Sequence, residues 1–416
     1  MSGIRHSTAS VLVSAVLSLL IPHAGAQPYD ILLKGGHVID AANEIDAVMD
    51  VAVQGNLIRK VAAAIPESGA KKVVHVEGLY VTPGLIDLHG HVTGYGGALY
   101  PDDTALLTGT TTLVDAGGAG WRTFEEFRKK MIDVSKTRVL ALIHIAGGGM
   151  APEAEGDLDD MDPEKTAAMI KKHRDVIVGI KHAHYPHAGW DAIQRAVKAG
   201  QLADVPVMFD DKIFTNSGRS SREKLLDYMR PGDMHTHCYN DRQVEIISRF
   251  SGKVHDYAKE ARRRGVLFDL GHGGGSFLWP VATRAMRDGF PPDTISTDLH
   301  HSSILGPEPD MPNCISKMMA LGMSLEDAVM RSTQNPAKAI GKFPEIGTLG
   351  ESKIADITVL RLEEGVFAYK DAWGKKKLGD KKLEAVMTVR NGEIVFDLDG
   401  LAFPNWKTAG RYELIQ

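Results

Sequence analysis

Apolar and polar residues alternate in short runs at both ends of the chain, and a different texture lies between them. From residue 28 to about 80, "DILLKGGHVID", "DVAVQGNLIRKVA" and "KKVVHVEGLYVTPG" read as strands separated by turn residues. The same texture returns in "ADITVLRL" and "EAVMTVRNGEIVFD", where Asn391-Gly392 is a strong hairpin signal. We read the two ends as one small β-sandwich, made of residues 27–82 together with 346–416.

Residues 83–345 instead repeat a strand–loop–helix unit. The strand candidates are "GLIDLH", "TTLVDAG", "VLALIHIA", "VIVGIK", "VPVMFDD", "GDMHTHCY", "VLFDLGH" and "TISTDLH". Stretches with helical periodicity separate most of them, among them "PEKTAAMIKKH" and "WDAIQRAVKAG". The pattern predicts an α/β chain with a (β/α)8 barrel; a doubly wound sheet is the alternative. The barrel is preferred because polar, ligand-type residues recur at the C-terminal ends of strand after strand. A barrel builds its site there, whereas an open sheet gathers such residues at one switch point.

The N-terminus changes this picture only by subtraction. Arg5, the apolar run Ala9 to Pro22 and the Ala24-Gly25-Ala26 triplet have the form of a cleaved secretory signal over residues 1–26. The apolar run is too short to span a bilayer, although an N-terminal anchor is the competing reading. A periplasmic or secreted protein is the expectation, with no membrane span once the signal is removed. A net charge of −5 and the lack of a basic cluster argue against nucleic acid as a partner. "WGKKKLGDKK" is read as a solvated basic turn. The two cysteines, Cys238 and Cys314, are expected to be free or buried thiols rather than a disulfide. A small-molecule substrate is expected, and a homo-oligomer is compatible with the sequence.

Candidate chemistry collects at the strand ends. Strand one carries His89 and His91, two residues apart and so on one face. Strand four ends at Lys181, strand five at Asp210 and Asp211, strand six carries His235 and His237, strand seven ends at His272, and strand eight at Asp298. Each has an ordinary structural reading: Asp298 as a helix cap, Lys181 as an interior ion pair with Asp210, a lone histidine as a hydrogen-bonded residue. Together around one ring they suit divalent cations, zinc first, with manganese or iron as alternatives and one or two ions per chain.

"PGLIDLHGH", "GIK", "THC", "GHGGGSF" and "STD", flanked by a split sandwich, resemble the amidohydrolase superfamily over nearly all of the chain beyond residue 26. The nearest branch is the dihydroorotase-like and acyl-amino-acid deacetylase group. The resemblance implies that His89 and His91 bind the more buried metal and that Lys181 is N-carboxylated and bridges two metals. It implies that His237 binds the second metal and that Asp298 binds the first metal and its hydroxide. Asp210 stands where many relatives place a histidine, and is carried over as a ligand. With carbamate, Asp210, Asp298 and hydroxide, the negative charges balance two divalent ions. This predicts a weaker Lewis acid at the second position. Two tightly held zincs with His235 in place of Asp210 would overturn it.

The resemblance also implies the chemistry: metal-activated hydroxide attacks a C–N amide or ester carbonyl, and Asp298 shuttles the proton to the leaving group. His272 is read as a residue that polarises substrate or supports a ligand. Tyr95, His182, His184 and Tyr185 are read as pocket wall, with His187 and Trp190 alongside. Arg122, Arg219 and Arg222 are loop candidates for a carboxylate, and residues 147–164 are a candidate lid. "HVTGYGG" lacks the arginine that would follow the second histidine in a dihydroorotase. N-acyl amino acids, small peptides or cyclic amides are the expected substrates. A deaminase of the same superfamily and a non-catalytic binding protein are the alternatives.

Overall fold

Near-continuous apolar runs in the middle of the chain are what strands covered on both faces require, and they form a parallel sheet. The computed structural model describes residue 3 and residues 27–94, 96–210, 222–241, 246–307 and 309–410. The expected signal segment falls outside these residues except for Gly3. Seven strands pair side by side in chain order: β6 (Leu85–Gly90), β7 (Thr110–Gly120), β8 (Arg138–His144), β9 (Ile177–Ala183), β10 (Val207–Asp210), β11 (Met234–His235) and β12 (Leu267–Phe268). The eighth segment, residues 294–299, closes the ring. Leu270 N donates to Thr294 O (3.0 Å) on one side, and His91 N donates to Leu299 O (3.1 Å) on the other.

Strand periodicity then separates inside from outside. Leu88, Val114, Leu140, Leu142, Met208 and Met234 share one buried cluster. Their alternates Leu113, Ala141, Ile143 and Phe209 join a larger one with helical residues such as Ala192, Ile193 and Ala196. Helices form where expected, over Pro163–Lys172 and Asp191–Ala203. The first has Pro163 at its opening turn, and the Asp162 side chain accepts from Glu164 N and Lys165 N, which satisfies free donors of the first turn.

Both ends of the chain share the second sheet, in the order β15-β14-β13-β5-β1-β2-β3, with β4 also on β1. The strands are β1 (Tyr29–Asp40), β2 (Ile45–Gln54), β3 (Leu57–Ala62), β4 (Ala70–His75), β5 (Tyr80–Pro83), β13 (Ile357–Lys370), β14 (Lys376–Arg390) and β15 (Glu393–Asp397). The joint is β5 against β13, where Val81 pairs with Val359 and Thr82 with Thr358. Val38, Val51, Val53, Ile58, Val81, Ile357 and Val389 fill the core between, each worth roughly 1.5–3 kcal/mol when fully buried. Cys238 and Cys314 are free and buried, and burial raises both thiols well above their ordinary range. No described helix is long and apolar enough to cross a membrane.

Candidate metal centre

Asp87 determines how the two histidines leave β6. Its buried carboxylate accepts from His89 N (3.2 Å), Thr297 N (3.0 Å) and Thr297 Oγ1 (2.5 Å), lacing the end of β6 to the eighth segment. Burial outweighs these bonds and pushes the Asp87 carboxyl up to about 7.

Two imidazoles of the cluster, His89 and His237, are oriented from behind. His89 Nδ1 lies 2.9 Å from Thr236 Oγ1, and that hydroxyl gives its proton to Asp269 Oδ2 at 2.7 Å. The hydroxyl must therefore accept from His89, so Nδ1 carries the proton and Nε2 keeps a lone pair. Nε2 faces Lys181 Nζ at 3.0 Å and Asp298 Oδ1 at 3.5 Å. Burial, reinforced by Lys181, lowers His89 to about 4, which leaves it neutral at neutral pH. His91 Nε2 lies 2.9 Å from Asp298 Oδ1. His237 Nδ1 donates to Gly271 O (2.6 Å), which turns its Nε2 toward Asp210 Oδ2 at 3.2 Å.

The resulting donors fit divalent cations. His89, His91 and Asp298 offer one donor atom each within 4.8 Å of one another, and so do His89, Asp210 and His237. Lys181, fully buried, links the two groups: its Nζ is 3.0 Å from His89 Nε2 and 3.5 Å from Asp210 Oδ2. Burial works against charge on both carboxylates. His237 and Lys181 outweigh it at Asp210, and His89 and His91 at Asp298, so both lie well below the usual carboxylate range. Imidazole nitrogens and carboxylate oxygens gathered in a buried site are the chemistry that zinc-like ions take.

The cluster opens into a cavity of about 320 Å³, lined by Met150, His184, Ser276, His300 and Ser302 besides the donors. Three lining residues, His184, His237 and Asp298, have left-handed backbone (φ 57°, 57° and 49°), a conformation costing a non-glycine residue about 1–3 kcal/mol and concentrated at functional sites. Two glycines make room for the cluster. A β-carbon on Gly117 would meet Lys181 Cγ at 2.7 Å, and one on Gly273 would meet Asp298 Oδ2 at 2.1 Å.

His89, His91, Lys181, Asp210, His237 and Asp298 thus converge as the sequence predicts. Other expectations are corrected. His182 alternates with Lys181 and points to the helical side, its ring 5.9 Å from that of Phe209. Tyr185 is 6% exposed within the larger apolar cluster, its ring against His187, and does not line the cavity. His272 does not line it either. Gly271 and Gly273, with φ 45° and 53°, turn its ring inward, where Lys317 Nζ donates to Nε2 (2.9 Å) and Phe277 stacks at 4.7 Å. His235, outside the ligand set expected from the sequence, packs by Phe268 and belongs to neither donor group. Asp298 is not a helix cap, because His300 caps the helix His301–Ile304. Arg122 is paired with Asp160. Tyr95, Asp211 and Arg219, and the side chain of Arg222, lie outside the described residues.

Sequence reasoning missed Asp269, Lys317, His300, His144 and Glu155. No short motif marks Asp269, Lys317, His144 or Glu155, because each meets a partner distant in the chain. The proposed lid is anchored: Met150 N donates to Gly117 O (3.0 Å), and Asp160 accepts from Gly148 N (2.9 Å).

A family model described as "Amidohydrolase family" matches residues 279–395. A protein of Enterococcus faecalis named "Deacetylase" is 29% identical over 376 residues, 88% of this chain and 99% of its own length. Among solved structures, an adenine deaminase superposes with a TM-score of 0.81 at 28% identity, and a dihydroorotase with 0.78 at 27% identity. Each alignment covers 88% of this chain and 99% of the other.

Proposed function

We infer that this chain is a member of the amidohydrolase superfamily, on its deacetylase- and dihydroorotase-like side, a hydrolase acting on C–N bonds that removes an acyl group from a small N-acylated molecule, an N-acyl amino acid first. The observation that carries this reading is the pair of donor groups joined at His89 with Lys181 between them. His89, His91 and Asp298 would hold one cation; Asp210 and His237 would hold the second, and Lys181 would join both as a carbamate. Divalent cations there supply a water acidified toward neutral pH and a polarised carbonyl.

The chain's own residues do the rest. Asp298 faces the cavity from an ionised carboxylate, so it can take a proton from the attacking water and deliver it to the leaving nitrogen. Met150 offers an apolar contact for an acyl group, and Ser276 and Ser302 offer hydroxyls for its polar neighbours. Among the described residues no lysine or arginine lines the cavity. The relatives named as deacetylases support the removal of an acyl group. Cyclic amides and small peptides are the neighbouring classes.

The test is hydrolysis of a panel of N-acetyl amino acids, dipeptides and acyl esters, with and without a chelator. The expected result is acetate release that chelation abolishes and divalent metal restores. Chelator-resistant turnover would overturn the metal-dependent reading. A deaminase is the second reading, favoured by the adenine deaminase neighbour; ammonia released from adenine, with no acyl hydrolysis, would decide for it. We further propose that residues 1–26 direct the chain to the periplasm or exterior.

A further inference from the structure

Asp210 has one more neighbour than its donor group includes. Its Oδ2 lies 3.2 Å from His237 Nε2, 3.5 Å from Lys181 Nζ and 3.4 Å from His184 Nε2. The other nitrogen of that ring, His184 Nδ1, lies 3.1 Å from Glu155 Oε1. A carboxylate oxygen accepts here, so Nδ1 donates to Glu155, and Nε2 is left directed at the Asp210 carboxylate. His184 Nε2 thus stands about as near Asp210 Oδ2 (3.4 Å) as His237 Nε2 does (3.2 Å), which places it where a cation held by Asp210 and His237 would meet it.

We propose that His184 is a ligand of the second cation, alongside Asp210 and His237, and that Glu155 is the carboxylate that orients it. This inference rests on the metal-dependent reading above. His184 repeats the device seen at His89 and His237: Nδ1 is held from behind, and Nε2 turns to the centre. A carboxylate behind a metal-bound histidine fixes its tautomer and strengthens it as a donor. The backbone is committed to the same end. His184 is held at φ 57°, and its N–H reaches Asp210 O at 3.4 Å. On the far side of Glu155, His144 is fully buried, and its Nε2, with no hydrogen-bond partner, stands 3.8 Å from Glu155 Oε1. The Glu155 carboxylate therefore sits between two imidazoles at a site 7% exposed. Glu155 belongs to the short helix Pro152–Glu155 within the segment over the cavity, so that segment forms part of the second cation position.

The test loads the full chain with zinc, titrates a competing chelator, and reads metal per chain together with the visible spectrum of the cobalt-substituted protein. For His184→Asn the more weakly held cation is expected to be lost, with the cobalt band of that site changed. For Glu155→Gln the same cation should be retained at saturation but released at 10- to 100-fold lower chelator. His37→Asn, on β1 of the shared sheet and outside the cavity, should behave as the parent chain. His184→Asn with unchanged affinity and spectrum would overturn the assignment and leave the broader reading intact; so would an unchanged Glu155→Gln if His184→Asn fails to fold. A parent chain that takes up no cation overturns both.

Discussion

Asp298 shows how tightly single residues are set. It faces His91 at 2.9 Å and leaves no space for a β-carbon at Gly273. Asp298→Asn keeps the shape and removes the proton acceptor. A loss of about 10²–10⁴ in kcat is expected, the usual worth of a positioned acid–base group. Gly273→Ala is expected to displace the carboxylate and to lower kcat by at least tenfold while far-UV circular dichroism stays that of the parent; unchanged kcat would mean that Asp298 is not so constrained. His89, His91, Lys181 and Asp298 were legible in the sequence because each stands at the C-terminal end of a strand candidate. Asp269 and Glu155 were not, since a carboxylate that orients a histidine from another strand looks like any other carboxylate until the two meet.

At the scale of elements, strand existence followed from hydrophobic pattern, and strand extent did not. Strands β11 and β12 are short, and the eighth segment joins by isolated bridges. Left-handed backbone at His237, Gly271, Gly273 and Asp298 breaks the ladder just where the site begins. In the second sheet, Asp50 on β2 is held by Lys34 Nζ (2.7 Å), Ile65 N (2.7 Å) and Gly35 N (2.9 Å). Burial works against the charge, but these bonds outweigh it and lower the Asp50 carboxyl. A depressed folded-state value gives stability that is present above the unfolded value near 3.9 and fades as pH falls through the folded one. Asp50→Asn is therefore expected to cost about 1–3 kcal/mol at pH 7, with the gap to the parent narrowing below about pH 4. Urea unfolding at both pH values reads this, and a gap independent of pH would refute the ionic origin.

At the scale of the molecule, the β13–β14 hairpin ties the shared sheet to the barrel. Ala372 N donates to Phe277 O (3.0 Å), Trp279 Nε1 donates to Lys375 O (3.1 Å), and Leu383 N donates to Ser316 Oγ (2.9 Å). Phe277 in turn stacks on His272, so the hairpin braces the loop that lines the cavity. Trp279→Ala removes a buried anchor and should cost about 3–5 kcal/mol. One cooperative transition is expected to persist by both circular dichroism and tryptophan fluorescence. Two separated transitions would show that barrel and sheet unfold independently.

The sequence alone determined that a strand–helix repeat lies between two strand-rich ends, and that imidazoles, a lysine and carboxylates stand at the ends of its strands. Periodicity and residue chemistry are local properties, so they are readable along the chain. Tertiary structure decided which of those residues share a centre. It turned His182 and His272 away, brought His184 beside Asp210 and Glu155 beside His184, and chose the tautomer of His89 through Thr236 and Asp269. Those outcomes depend on the side of each strand a residue takes and on what the closed ring sets opposite it.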